Sequence, residues 1–180
     1  MSKRLSSRIV ASLCGLALVA ACHAAPAPAS APSAARADSL VLERTRCFGF
    51  CPAYRLTLRA DGAVTFVSLV PRDSNLTFAD SIAPDKLSWL VQQAERIGLG
   101  TLPPVIAEDS TLCTVRATDH PTVTVALYRP GATIRVVDYR GCYGGPDLSV
   151  ATPLARLRRF TGQIDSVART ARWTAHMTRP

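Results

Sequence analysis

Two cysteines separated by three residues are the groups in this sequence whose spacing most directly suggests chemistry. They enclose a turn in the stretch CFGFCPAY, residues 47–54. Because Gly49 can adopt positive φ without steric cost and Pro52 fixes its own φ, the stretch predicts a tight, rigid turn between two strands. Sulfur atoms at this spacing can meet across such a turn. A structural disulfide, a zinc site and thiol–disulfide exchange are the chemistries open to them.

The even number of cysteines in the folded part favours disulfides. Of the six cysteines in the sequence, two lie in the N-terminal segment treated below, and four remain. In an oxidising compartment these four predict two disulfides, with three possible connectivities. We favour Cys47–Cys51, which flank one turn, and Cys113–Cys142, which lie in irregular segments beside a predicted hairpin. The second pair closes the longer loop and is expected to stabilise more.

Metal binding and redox catalysis are the alternatives for the same thiols. A zinc site would gather all four thiolates or exchange one for His120, but a C-x3-C spacing departs from the usual two-cysteine knuckle. A thiol oxidoreductase needs its first cysteine at a helix start to lower the thiol pKa, whereas Cys47 and Cys51 are expected between strands. We therefore predict no metal and no cofactor, and redox chemistry at Cys47 and Cys51 stays as the alternative.

The N-terminus has the layout of a secretory signal peptide over residues 1–21. Lys3, Arg4 and Arg8 precede an apolar run over residues 9–21, which is too short to span a bilayer as a helix. The final VAAC of residues 19–22 resembles a bacterial lipobox. That resemblance implies that Cys22 becomes the first mature residue and carries lipid, such as palmitate.

The residues after Cys22 indicate the membrane to which the protein is directed, and they predict a tether. An ordinary signal peptide cut after Ala24 is the alternative to the lipobox. By the same resemblance, His23 in place of an aspartate favours the outer membrane, facing the periplasm. Residues 22–37 continue almost entirely as Ala, Pro and Ser, a composition that cannot bury enough apolar surface to fold. They predict a tether that links the domain to the membrane.

The charge of the chain does not indicate a nucleic-acid partner. The formal net charge is +8, but three of the 21 basic side chains lie in the leader. The others are scattered, apart from a cluster at Arg156, Arg158 and Arg159 that we interpret as the solvated face of a helix. Because no basic stripe with interleaved aromatic residues occurs in the sequence, nucleic-acid binding is not expected.

Residues 38–175 predict a single α+β domain. Residues 53–60 alternate apolar and polar side chains, Asp61-Gly62 is a hairpin signal, and a second hairpin spans residues 122–140. Pro-initiated helical patterns cover residues 84–97 and 153–170. We predict an antiparallel sheet of about five strands, a meander plus a hairpin, with two helices packed on one face. Residues 76–78 are expected to lie in a loop or to form a short strand, and residues 176–180 are expected to fray.

We interpret the remaining polar residues as residues that form turns. The segment 118–122, TDHPT, suits a turn in which Asp119 bonds nearby backbone amides, rather than an acid–base pair with His120. Residues 141–146 are expected to form a flexible loop. Asp61, Asp73, Asp80 and Asp85 are interpreted as solvated turn residues, not a calcium loop. Hydrolase, phosphate-loop and zinc-protease motifs are absent from the sequence.

The motif of residues 47–54, taken with later short matches, resembles a bacterial domain family of unknown function with the signature C-F-G-x-C-P-x-Y. The resemblance covers about residues 39–174, and the motif positions are Cys47, Phe48, Gly49, Cys51, Pro52, Tyr54, Asp61, Gly62, Thr118 and Asp119. Members are commonly exported proteins or lipoproteins, which the resemblance implies here as well. The resemblance implies no activity for this chain.

Together these features predict a lipid-anchored protein of the cell envelope. Its domain is expected to be monomeric and to act as a non-enzymatic binding module, with an envelope protein or polymer as partner and the membrane contacted through Cys22. An envelope thiol–disulfide redox factor, or another enzyme using Cys47 and Cys51, is the alternative function. Phe48 and Tyr54 are expected to pack at the edge of the core, with Gly49 at positive φ and Trp173 folded back onto the core.

Overall fold

The computed structural model describes residues 37–73, 76–144, 152–175 and 177, with the side chain of Asp73 left out. The predicted leader, Cys22 and nearly all of the tether lie outside these residues. Within the described part, no helix is long and apolar enough to cross a membrane.

Most strands belong to one antiparallel sheet. The strands are β1 Ser39–Arg44, β2 Tyr54–Arg59, β3 Ala63–Ser68, β4 Thr77–Ser81, β5 Val115–Arg116, β6 Thr122–Arg129, β7 Ala132–Tyr139 and β8 Cys142–Tyr143. Six of them form a sheet in the order β4-β3-β2-β1-β6-β7, and β5 pairs with β8 in a separate two-stranded sheet. The prediction of an α+β fold is confirmed, with six strands in the main sheet where about five were expected.

The additional strand is β4, at the edge of the sheet. Its exposed and half-buried side chains alternate without a fully buried position, so its sequence gave only a weak strand signal. Phe78 of β4 pairs opposite Phe66 of β3, and their rings lie 6.0 Å apart. Contact between Phe78 and the core therefore stabilises a strand in a segment whose polar composition favours a loop.

The two long helices begin at the predicted prolines, and a short third helix follows them. They are α1 Pro84–Arg96, α2 Pro153–Ala168 and the short α3 Ala171–Thr174. The Thr152 hydroxyl accepts a hydrogen bond of 3.1 Å from the Ala155 amide, which is the predicted cap of α2. Arg169 ends α2 in the left-handed conformation, with φ of 55°.

One face of the main sheet is buried against the helices. Alternate strand residues such as Leu40, Leu42, Leu56 and Leu58 join the helix residues in a single apolar cluster. Trp173 packs against Phe66, with ring centroids 5.0 Å apart, so it does fold back onto the core. Met177 is also buried in this cluster, although the sequence assigned it to a frayed tail.

The central strand β1 has two ends with different neighbours. At its start, the Asp38 amide donates to the Tyr128 carbonyl and the Ala60 amide donates to the Asp38 carbonyl. At its finish, β1 leads into the cysteine turn, residues 45–53. A six-residue strand spans about 20 Å, so the cysteine turn lies at the opposite end of the sheet from the point where the described chain begins.

Candidate binding site

The cysteine turn is closed by a disulfide and presents aromatic side chains to solvent. Cys47 and Cys51 are bonded, with their Cα atoms 5.6 Å apart. Gly49 between them has φ of +135°, the positive value expected from the sequence. Phe48 is 90% exposed and Phe50 is 59% exposed. The expectation that Phe48 packs at the core edge is therefore wrong, because the short ring points its side chain outward.

Backbone hydrogen bonds tie this turn to the segment before β6. The Phe48 amide donates to the Asp119 carbonyl at 3.2 Å, and the Thr45 amide donates to the Thr122 carbonyl at 2.9 Å. Asp119 has φ of 67°, and its carboxylate accepts from the Thr118 hydroxyl at 3.0 Å. Asp119 thus shapes its turn through its left-handed backbone, rather than through the side-chain bonds to backbone amides that were expected.

A second disulfide lies at the same end of the domain. Cys113 and Cys142 are bonded, with Cα atoms 4.9 Å apart, and Cys142 is fully buried. Residues 142–143 form β8 and pair with β5, where the sequence had predicted a flexible loop. Residues 145–146 of that predicted loop lie outside the described residues. The structure thus contains both cysteine pairs that the sequence favoured.

Exposed apolar side chains gather around the two disulfides. Besides the two phenylalanines, Val115 is 60% exposed and Tyr143 is 42% exposed, and these two residues pair across β5 and β8. His120 contacts the edge of the Tyr143 ring at 6.2 Å between centroids. We call the surface formed by residues 45–53, 113–121 and 142–143 the disulfide-braced end.

Behind the cysteine turn, a polar cluster joins the sheet to α2. The alternation that buries Leu42 turns Arg44 toward the helices, where its Nη2 lies 2.6 Å from Asp165 Oδ2. The Tyr54 hydroxyl accepts from Arg44 Nε at 2.9 Å and donates to Asp165 Oδ1. The Thr170 hydroxyl also donates to Oδ1, at 3.1 Å. All lone-pair directions of the Asp165 carboxylate are therefore occupied by donors.

Burial and the neighbouring Asp165 carboxylate raise the pKa of Tyr54 well above the ordinary value. Tyr54 therefore stays a neutral hydrogen-bond donor near neutral pH. Sequence reasoning missed Arg44 and assigned no role to Asp165. Both could have been found from the sequence, because each is an ionisable residue at a position where the apolar repeat of its strand or helix predicts a core-facing side chain.

We expect Tyr54 to ionise only at a pH above that of an ordinary tyrosine. Because its pKa is higher in the folded state than in the unfolded state, its contribution to stability is complete below about pH 10 and is lost as the pH rises through the folded value. Ultraviolet titration of tyrosinate should show that one of the four tyrosines ionises late. The Tyr54→Phe variant should lack this late step, and a late step that persists in it would assign the step to another tyrosine.

A second charged cluster lies beside the first, across β6. Asp138 of β7 is 1% exposed, and its carboxylate is 3.0 Å from Arg140 Nη1 and 3.0 Å from Arg158 Nη2. Arg158 Nη2 also donates to the Cys142 carbonyl at 2.7 Å. The prediction that Arg158 lies on the solvated face of α2 is therefore wrong, because this side chain neutralises a buried carboxylate.

A pocket of about 320 Å³ opens between the cysteine turn and the second helix. Its polar lining comes from Arg44, Tyr54 and Asp165 with two threonines, and its apolar lining comes from Cys51, Pro52, Pro121 and Ala171. Cys51, Pro52 and Tyr54 belong to the motif singled out in the sequence. A concave site with a few convergent polar groups among apolar walls is the usual form of a small-ligand site.

The other residues singled out in the sequence do not reach this pocket. Asp61-Gly62 forms the turn between β2 and β3 at the opposite end of the sheet, where a Cβ on Gly62 would lie 2.3 Å from the Ile82 carbonyl oxygen. Asp80, expected as a solvated turn residue, instead lies on β4 and pairs with Arg169 and Arg172. Within the described residues, no group of three or more His, Cys, Asp or Glu side chains could hold a metal ion.

A comparison with models of protein families shows to which family the chain belongs. The model described as "Domain of unknown function (DUF6438)" matches residues 38–153. The chain belongs to this family. A search of curated proteins finds no match. The DUF6438 match includes both disulfides, Arg44, Tyr54 and Asp138, whereas Arg158 and Asp165 lie in the helix that starts where the match ends.

Proposed function

We propose that this DUF6438 chain is a lipid-anchored protein of the cell envelope, held at the outer membrane on its periplasmic side. Its domain acts as a non-enzymatic module that binds an envelope protein or polymer through the disulfide-braced end. The observation that carries the proposal is the exposure of Phe48 and Phe50 on a ring closed by a disulfide. A rigid loop presents aromatic side chains with little conformational entropy left to lose on binding.

The position of this surface fits an anchored protein. The described chain begins at Ala37, and the cysteine turn lies at the other end of β1. A tether of Ala, Pro and Ser would therefore join the domain at the end of the sheet opposite to the disulfide-braced end, which leaves the aromatic side chains free to meet a partner.

The chemistry of the pocket supports binding rather than catalysis. Asp165 already accepts hydrogen bonds from Arg44, Tyr54 and Thr170. Its carboxylate has no lone pair left to act as a general base, and the raised pKa of Tyr54 removes its phenolate as a base or nucleophile near neutral pH. These groups hold the sheet and helix together and shape a site.

The binding proposal is tested by site-specific photo-crosslinking in intact cells. A photoreactive phenylalanine analogue at position 50 should crosslink to an envelope component, whereas the same analogue at position 128, which replaces an exposed tyrosine at the other end of the sheet, should not. Phe48→Ser should weaken the crosslink from position 50, because it removes the neighbouring anchor. Equal crosslinking from positions 50 and 128, or none from position 50, would overturn the proposal.

The anchor is tested by removing its sulfur. In the Cys22→Ala variant no lipid can be attached, and the tether has no membrane affinity of its own, so the protein should leave the membrane fraction. Fractionation in high salt and detergent partitioning measure this. A Cys14→Ala variant, which changes a leader cysteine and not the proposed anchor, is the matched control and should stay with the membrane. A Cys22→Ala protein that still partitions with membranes would disprove the lipid anchor.

One observation favours the alternative, a thiol–disulfide redox factor. Cys47 and Cys51 are half-buried on an exposed turn, whereas Cys142 of the other pair is fully buried. A partner thiol could therefore reach the first disulfide more easily than the second. Thiol titration of the protein isolated from cells separates bracing from redox chemistry.

A further inference from the structure

The pocket behind the cysteine turn offers hydrogen-bond donors and few acceptors. Arg44 uses Nε and Nη2 for its bonds to Tyr54 and Asp165. Among the described residues, its Nη1 makes no hydrogen bond, and the Arg44 side chain lines the pocket. Asp165 beside it is already bonded by three donor residues. A ligand group that enters here must therefore supply an acceptor.

The charges around the pocket are not balanced. The two adjacent clusters contain three guanidinium groups, from Arg44, Arg140 and Arg158, and two carboxylates, from Asp138 and Asp165. The Pro121 carbonyl accepts from the Arg140 amide at 2.9 Å, which places the Arg140 backbone beside the pocket wall. Burial, together with the charges of Arg44 and Arg158, lowers the pKa of Arg140 despite the neighbouring Asp138. The two clusters together therefore carry one more positive than negative charge, and within the pocket itself Arg44 is the guanidinium that faces a ligand.

The walls limit the kind of anion that fits. Pro52, Pro121, Ala171 and the sulfur of Cys51 form the apolar lining, and the volume of about 320 Å³ is at the lower end of the range for ligand pockets. A lining with one guanidinium donor, that of Arg44, suits a monoanion better than a multiply charged phosphate, which needs several converging cationic groups. An apolar group next to the anion would bury the prolines and the alanine.

We propose that this pocket binds a carboxylate that bears a small apolar substituent, with the carboxylate oxygen accepting from Arg44 Nη1. The free C-terminus of a peptide ending in small residues has this chemistry, and so does a short organic acid. The proposal goes beyond the aromatic binding surface and does not depend on it. It assigns a second, chemically different site to the pocket beside the cysteine turn.

Calorimetric titration of the full-length protein in detergent micelles tests this site. The probe is acetyl-alanyl-alanine, compared with its C-terminal amide and with propionate. We expect saturable binding of the acid at one site and binding of the amide weaker by about tenfold or more, since a hydrogen bond to a charged group contributes about 1.5 to 3 kcal/mol. Equal heats for acid and amide, or no saturation by the acid at millimolar concentrations, would overturn the proposal.

Two matched variants locate the binding. Ala171→Phe places a large side chain in the pocket wall, whereas Ala175→Phe adds the same group one helical turn later, at an exposed position outside the pocket. The first should weaken binding of acetyl-alanyl-alanine about tenfold or more, and the second should leave it within about twofold. Equal effects of the two variants would place the binding elsewhere. If propionate binds as tightly as the dipeptide, the ligand class narrows to a short organic acid, which still requires the acid-over-amide preference.

Discussion

The Asp138→Asn variant is expected to lose about 3 kcal/mol of unfolding free energy. The carboxylate is 1% exposed and pairs with both Arg140 and Arg158, each about a quarter exposed. Substitution by asparagine keeps the shape of the side chain but leaves two partly buried guanidinium groups without a counter-charge. Urea unfolding, which measures the free energy through its midpoint and slope, gives the result directly.

An exposed ion pair supplies the matched control. Glu43→Gln makes the same carboxylate-to-amide change in a residue that pairs with Arg55 at 2.7 Å on the solvated side of β1 and β2. Exposed pairs contribute about 0 to 1 kcal/mol, so this variant should differ little from the parent. If Asp138→Asn and Glu43→Gln have equal effects, the Asp138 cluster does not hold α2 against the sheet.

The fold could be predicted because its signals are local. The alternation in β2, the Asp61-Gly62 turn and the proline at the start of each long helix each act within a few residues, and the structure retains all of them. The strand β4 was predicted only as an alternative to a loop, because an edge strand has one neighbour and this one has a polar composition. Its position depends on Phe78 meeting Phe66 across the sheet, which is not a local property.

The polar clusters could not be predicted for a different reason. Arg44, Asp138, Arg158 and Asp165 each lie at a core-facing position of an otherwise apolar pattern. Taken alone, each is a polar exception in an apolar pattern. The pairing of β1 with β6 and of β6 with β7 fixes the strand positions, and the packing of α2 on the sheet then brings the charges together. Arg158 lies four residues after the buried Leu154 and therefore on the same face of α2, which is the clue that its assignment to the solvated face overlooked.

The larger of the two disulfide effects should come from Cys113–Cys142. These cysteines are 29 residues apart, and on the chain-entropy model their bond constrains the unfolded chain by about 3 to 4 kcal/mol. In the Cys113→Ser/Cys142→Ser variant the buried position 142 also receives a hydroxyl, which adds to the loss. The pairing of β5 with β8 should weaken with it, because this two-stranded sheet has no other strand.

The Cys47–Cys51 disulfide should contribute less to stability than Cys113–Cys142. The size of its contribution helps to distinguish a structural role in bracing the turn from redox chemistry. A separation of only four residues constrains the unfolded chain by about 2 kcal/mol. The Cys47→Ser/Cys51→Ser variant should therefore unfold at a urea midpoint between those of the parent and of Cys113→Ser/Cys142→Ser. Its crosslink from position 50 should weaken but stay measurable, because the backbone bond from Phe48 to Asp119 still holds the turn.

Thiol titration of the protein isolated from cells completes the test. If both disulfides are structural, all four domain cysteines should be blocked, and mild reductant should release few thiols from the folded state. A Cys47–Cys51 pair that opens and closes readily in mild reductant would favour redox chemistry. So would a Cys47→Ser/Cys51→Ser variant as stable as the parent that has lost all function in the cell, since thiols that contribute nothing to the fold yet are essential must act through their chemistry.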